Sequence, residues 1–106
     1  YINLKCNFQI SSQSYNETKG QNKSERLINI AKQSNSKFYI NVKGGSNLYR
    51  KEFFYKRNIN LIFLEKRMYE YPQFRNKFID KLSIIDVLMF CEIKKINNFL
   101  CLYKLS

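Results

Sequence analysis

The chain contains no histidine. A Ser-His-Asp arrangement therefore cannot be assembled from its residues, and no imidazole is present to activate a thiol. Its cysteines, Cys6, Cys91 and Cys101, number three and form no C-x-x-C pair, so no zinc site is encoded and no metal is expected. Their odd number and apolar neighbours predict reduced, buried thiols in a cytoplasmic protein. Glycine is scarce, with three residues, of which only Gly44 and Gly45 are adjacent. That pair is neither a G-x-G-x-x-G fingerprint nor a Walker loop, because no Gly-Lys-Ser or Gly-Lys-Thr follows, and no cofactor is expected. No apolar run approaches the roughly 18–20 residues of a membrane helix, and no basic-then-apolar leader is seen. Internal repeats and low-complexity segments are absent as well.

Acidic residues are the other shortage: eight against 19 lysines and arginines, a formal net charge of +11. One reading of this excess is an electrostatic footprint for nucleic acid, phosphate or an anionic surface. The other is codon bias, since Lys, Asn, Ile, Tyr and Phe, all encoded by AT-rich triplets, make up more than half of the chain. The basic residues are dispersed, with doublets at Arg50-Lys51, Lys56-Arg57, Lys66-Arg67 and Lys94-Lys95 and no concentrated tail. What remains is the composition of a folded chain: 44% hydrophobic and 16% aromatic in 106 residues, enough for one modest core and one domain. The first residue is Tyr1, which predicts an interior or C-terminal piece of a longer protein.

Periodicity lays out an α/β order. Ile2, Leu4, Cys6, Phe8 and Ile10 alternate with polar residues, predicting a first strand. Ser11 to Gly20 is polar and reads as a long loop, functional or mobile. A helix is expected from Lys23 to Gln33, with Leu27, Ile28, Ile30 and Ala31 on its apolar face and Asn22 or Ser24 as cap. Phe38 to Val42 reads as a second strand, Lys43 to Asn47 as a glycine turn, Asn47 to Arg57 as a helix and Ile59 to Leu64 as a third strand covered on both faces. The order β-α-β-α-β implies two right-handed crossovers and a parallel, three-layer-type sheet, followed by C-terminal helices. Phe74 and Phe78, four apart, suggest a helical turn with a buried side. Ser83 caps a helix reaching Phe90, with Asp86 in its first turn, and a last helix spans about Glu92 to Leu100.

In open parallel sheets, ligands bind beyond the carboxyl ends of the strands. That rule selects Ser11–Gly20, Lys43–Asn47 and Glu65–Tyr71. Lys43, Lys66, Arg67 and Tyr69 can then face one cationic crevice with the amides of Gly45, Ser46 and Asn47, suited to a phosphate or carboxylate. Gly44-Gly45 is equally readable as a plain tight turn. Asp86 can orient a substrate amine or hydroxyl, or close its helix start. Glu25 and Arg26 can meet a ligand or form a solvated helix start. Tyr49, Phe53, Phe54, Tyr69, Tyr71, Phe74 and Phe78 include candidate stacking platforms for bases, although most are needed to fill a small core. No catalytic residue is identifiable.

Several segments together resemble the WbqC-like protein family: Lys19-Gly20-Gln21 with Glu25-Arg26-Leu27-Ile28; Tyr39-Ile40-Asn41 with Gly44-Gly45 and Leu48-Tyr49; Glu52-Phe53-Phe54; and Ile59-Asn60-Leu61 with Phe63-Leu64. Glu70-Tyr71, Gln73-Phe74, Phe78-Ile79 and Leu82 to Phe90 complete the pattern. The resemblance runs from about Lys19 to the end and covers the C-terminal half of the family's domain. The family's opening strand with its Gln-Pro motif has no counterpart here. Lys43 and Lys81 stand where the family often has an apolar residue or proline, and proline, respectively. The resemblance implies a nucleotide-binding-like α/β fold and a transferase, or its substrate-binding half, acting on nucleotide-linked amino sugars in bacterial surface-polysaccharide biosynthesis. It also implies ligand contacts from Glu25, Arg26 and Tyr49, anion binding at Gly45–Asn47, and a missing N-terminal half or partner chain. A small basic nucleic-acid-binding module is the second expectation, and a fragment with an assembly role the third.

Overall fold

The computed structural model describes residues 5–67, 69–74 and 77–106. The chain packs as two compact units, one of residues 6–65 with 105–106 and one of residues 66–104 with Lys5. Its elements are α1 (Ser11–Ser14), α2 (Lys23–Gln33), β1 (Phe38–Val42), α3 (Lys51–Tyr55), β2 (Asn60–Lys66), α4 (Ile84–Phe90), α5 (Ile93–Leu100) and β3 (Tyr103–Leu105), with 3-10 turns at Asn16–Thr18 and Lys43–Gly45. The protein is α/β, with a small mixed sheet in the order β1-β2-β3.

β1 and β2 are parallel, Phe38 opposite Asn60 and Val42 opposite Leu64. On the far side of β2, Phe63 and Ser106 exchange N–H···O bonds of 2.8 and 3.0 Å, and the Arg67 N–H donates to the Leu102 carbonyl at 3.0 Å. Partner numbers fall as β2 advances, so β3 runs antiparallel. The expected first strand does not form: residues 5–10 have no regular structure, and residues 1–4 lie outside the described part. Alternation alone cannot make a strand without a neighbour to bond its backbone, and Phe8 is 90% exposed. The parallel pair is thus joined by one crossover instead of two, and the third strand comes from the C-terminus.

In the first unit, α2 keeps the predicted bounds. The Asn22 side chain accepts from the Ser24 N–H at 3.1 Å, and Ile28 and Ala31 are buried. They meet Phe54, Ile59, Leu61 and Phe63 in one core. Phe54, with no exposed surface, stacks on Tyr39 (5.9 Å between centroids) and receives the edges of Tyr49 (6.1 Å) and Phe53 (6.3 Å). The predicted cover on both sheet faces is not found: Phe38, Ile40 and Val42 are 55%, 53% and 63% exposed. Their strand edge is nonetheless blunted. The Ser36 hydroxyl bonds both the N–H and the carbonyl of Phe38, and the Asn41 side chain accepts from the Val42 N–H.

Ser11–Gly20 is a folded loop. Tyr15 and Thr18 are buried in it; Tyr15 Oη bonds Gln9 and Ser34, and Thr18 Oγ1 donates to the Tyr15 carbonyl at 2.7 Å. In the second unit, Tyr71, Val87, Cys91 and Ile96 form the core, with Tyr69 stacked on Phe99 at 4.0 Å. Residues 75–76, in the middle of the helical turn expected at Phe74–Phe78, lie outside the described part; Phe74 is exposed at φ +49° and Phe78 packs its edge on Tyr71. Gln73 organises this segment by pairing with both backbone groups of Ile79, at 2.7 and 3.1 Å. Of the thiols, only Cys91 is buried, while Cys6 and Cys101 are exposed, against expectation. Cys6 lies in the stretch that forms no strand, and Cys101 follows the last turn of α5. Burial pushes the Cys91 thiol above its ordinary range.

Candidate binding cleft

The turn after β1 is not built as an anion cradle. Lys43–Gly45 is a 3-10 turn, and the only glycine of the described residues with positive φ is Gly20. The Ser46 N–H donates to the Lys43 carbonyl and the Leu48 N–H to the Gly45 carbonyl, both at 3.0 Å. One of the three amides expected to hold an anion is therefore spent within the turn. The next helix starts at Lys51 rather than Asn47, so its unpaired amides do not follow the glycines directly. A Cβ on Gly45 would lie 2.7 Å from Asn41 Nδ2, so a side chain there would require the Asn41 amide to shift. Gly44 has open space around it.

Lys43 is also engaged, its Nζ 2.6 Å from Glu65 Oε2. Both groups are substantially exposed, so this pair supplies little stability. It does place a carboxylate where the sequence predicted only cations. Lys66 and Arg67 belong to the second unit. Lys66 Nζ lies 3.8 Å from Asp80 Oδ1 and 4.9 Å from the centre of the Tyr69 ring. Asp86 serves the fold of that unit. Its Oδ2 accepts from Tyr71 Oη at 2.6 Å and from Gln73 Nε2 at 3.0 Å. Burial, and secondarily the bond to Asp86, raise the Tyr71 phenol above its ordinary range. Ser83 caps α4 through the Ile85 N–H, so the predicted cap forms while the carboxylate turns to Tyr71 instead of closing a capping box.

Two predicted site residues do come together. Arg26 and Tyr49 line a cleft of about 430 Å³ with Ser11, Gln21 and Lys23, above an apolar floor of Leu27 and Ile30. The segment carrying Tyr49 follows the carboxyl end of β1, where the strand-end rule places ligands. Arg26 is fixed in place: its Nε donates to Thr18 Oγ1 at 3.2 Å and one terminal nitrogen to Ser11 Oγ at 3.3 Å. A guanidinium fixed in this way loses little freedom on meeting an oxyanion. Tyr49 is held by its edge contact with Phe54. The lining offers cations, an amide and hydroxyls, but no carboxylate and no thiol. Such groups can hold an oxyanion and pair with hydroxyls.

Glu25, exposed in the first turn of α2, lines two neighbouring clefts, one with Arg50 and Phe53 and one with Arg57 and Lys32. Neither Arg50 nor Arg57 was singled out from sequence. Their spacing of three and four from Phe53 was the available signal, because it sets all three on one side of α3 and its flanks. Among the described residues no group of histidine, cysteine or acidic side chains could hold a metal ion, and no helix is long and apolar enough to cross a membrane.

No curated protein and no solved structure matches the chain. A family model does, and its match starts at residue 1, earlier than the resemblance near Lys19 suggested. Since that match runs over residues 1–98 of 106, the chain belongs to the WbqC-like protein family.

Proposed function

We propose that this chain is the substrate-binding half of a cytoplasmic transferase that acts on a nucleotide-linked amino sugar in bacterial surface-polysaccharide biosynthesis. Family membership supports the reaction class. The observation that carries the binding role is the Arg26–Tyr49 cleft, whose fixed guanidinium, Lys23 and hydroxyls suit a sugar-phosphate ligand. In this reading the nucleotide-binding-like layering belongs to the whole enzyme.

Titration calorimetry with UDP-N-acetylglucosamine tests this. Saturable binding is expected, weakened about tenfold by Lys23→Gln, which removes one charge-assisted contact. Tyr49→Phe keeps the ring against Phe54 and removes only the hydroxyl, so a loss of severalfold is expected from it. A folded protein that shows no heat of binding, or binding untouched by both substitutions, would sink the assignment.

A further inference from the structure

Arg57 lies outside the cleft just described and has no role there. Its guanidinium lies 3.6 Å from the centre of the Phe53 ring, and one terminal nitrogen donates to the Phe53 carbonyl at 3.1 Å. Stacking and a backbone bond together hold the planar fork in one orientation, leaving its other N–H groups to solvent or ligand. The half-buried side chain lines a cleft of about 290 Å³, which also contains Lys32, Glu25, Asn29 and Gln21. Asn29 Nδ2 donates to Gln21 Oε1 at 2.8 Å, which fixes both amides and leaves the Gln21 amino group and the Asn29 carbonyl oxygen for other partners.

We propose that this cleft binds a phosphorylated polyol of single-sugar size. Arg57 and Lys32 are the two cations that take the phosphoryl oxygens, with Arg57 supplying the two-pronged contact. Glu25 carries one negative charge, so the lining is net positive by a single charge and disfavours a highly charged polyphosphate. That carboxylate and the Asn29 oxygen accept hydroxyl protons, and the Gln21 amino group donates to a hydroxyl oxygen. Ligand pockets commonly span about 300–1,000 Å³, so a site at the small end of this range accommodates one sugar phosphate better than a nucleotide-linked sugar. The assignment does not rest on the transferase reading, since its cleft, its arginine and its probe are different.

The test is an NMR titration of the whole chain, labelled with ¹⁵N, using glucose 6-phosphate, inorganic phosphate and glucose as separate probes. The Arg57 Nε–H signal is expected to shift saturably with glucose 6-phosphate, about tenfold more tightly than with either fragment probe. Arg57→Lys should lower that affinity about tenfold, because an ammonium replaces a bidentate fork. Lys32→Gln, which leaves the Phe53 stack intact, should also lower it. Glu25→Gln should narrow the preference for glucose 6-phosphate over inorganic phosphate. Lys104→Gln, which removes one charge that is not part of the cleft lining, should leave affinity unchanged. Equal affinity for inorganic phosphate and glucose 6-phosphate would overturn the proposal. So would equal losses in the Lys104 and Lys32 variants, or an Arg57 signal that does not move at all.

Discussion

Phe54 is the residue on which the first unit depends most. Its ring is fully buried and touches three other aromatic rings, two by their edges and one face to face. Phe54→Ala removes those contacts and leaves a cavity between α2 and the sheet, so a loss of about 3–5 kcal/mol is expected in urea unfolding. The second unit has a polar counterpart in Tyr71, buried and bonded to Asp86. Tyr71→Phe should cost about 1–2 kcal/mol at neutral pH, since Asp86 then keeps only its bond from Gln73. The same substitution should alter the pH profile. The folded-state value of Tyr71 is raised, so the unfolded chain releases this proton first. Its contribution is whole below the ordinary phenol value of 10.0 and is lost as pH rises through the higher folded-state value. Unfolding measured between neutral pH and the alkaline range should therefore show a shallower decline in the Tyr71→Phe protein.

Both helices that flank the parallel pair end in the same way. Asn35 and Asn58 take positive φ, 52° and 61°. The next N–H in each case reaches back to the final turn: Ser36 to the Ala31 carbonyl at 2.9 Å, and Ile59 to the Phe54 carbonyl at 3.1 Å. These are Schellman closures with asparagine in the left-handed position, where its short polar side chain is tolerated. An alanine has no such tolerance, so Asn58→Ala should destabilise by about 1 kcal/mol, visible as a lower Tm. The helix ends expected at Gln33 and Arg57 fall just before these asparagines, whose place after an apolar helical stretch is a local signal. The expected start of α3 is too early, because Lys43–Leu48 winds into consecutive tight turns and delays the helix to Lys51. Farther along, the Gln73 side chain pairs with both backbone groups of Ile79, a contact that apolar spacing does not announce.

For the whole chain, charge is the dominant feature. Against a formal +11, the described residues set the ion pairs Lys43–Glu65 and Lys66–Asp80, the first of them exposed. Self-repulsion should therefore lower stability at low ionic strength. Raising sodium chloride from about 0.02 to 0.5 M shortens the Debye length several-fold, and Tm is expected to rise. A Tm that falls with salt would mean that attractive pairs outweigh the repulsion. The candidate clefts draw on this charge unevenly. Arg26 and Arg57 are fixed by neighbours, whereas Lys43 is matched by Glu65.

Sequence alone determined what depends on near neighbours along the chain. It located α2, with Asn22 one of two candidate caps, β1, α4 with its Ser83 cap, two helix ends just before asparagines and the family. Each of these is written within a few residues, through apolar spacing, a capping side chain or a tolerated φ. Tertiary structure decided whatever needed a partner distant in sequence. Residues 5–10 found no strand to bond, whereas the C-terminal residues did, which made the sheet mixed. Glu65 met Lys43, removing a free cation from the expected crevice, and Asp86 was taken by Tyr71 and Gln73. Arg57 became a fixed fork only because Phe53 lies beneath it, at the edge of a cleft whose other walls are on α2 and at Gln21 before it. Position along the chain gives a side chain's chemistry, but which charges remain available depends on where the rest of the fold brings their partners.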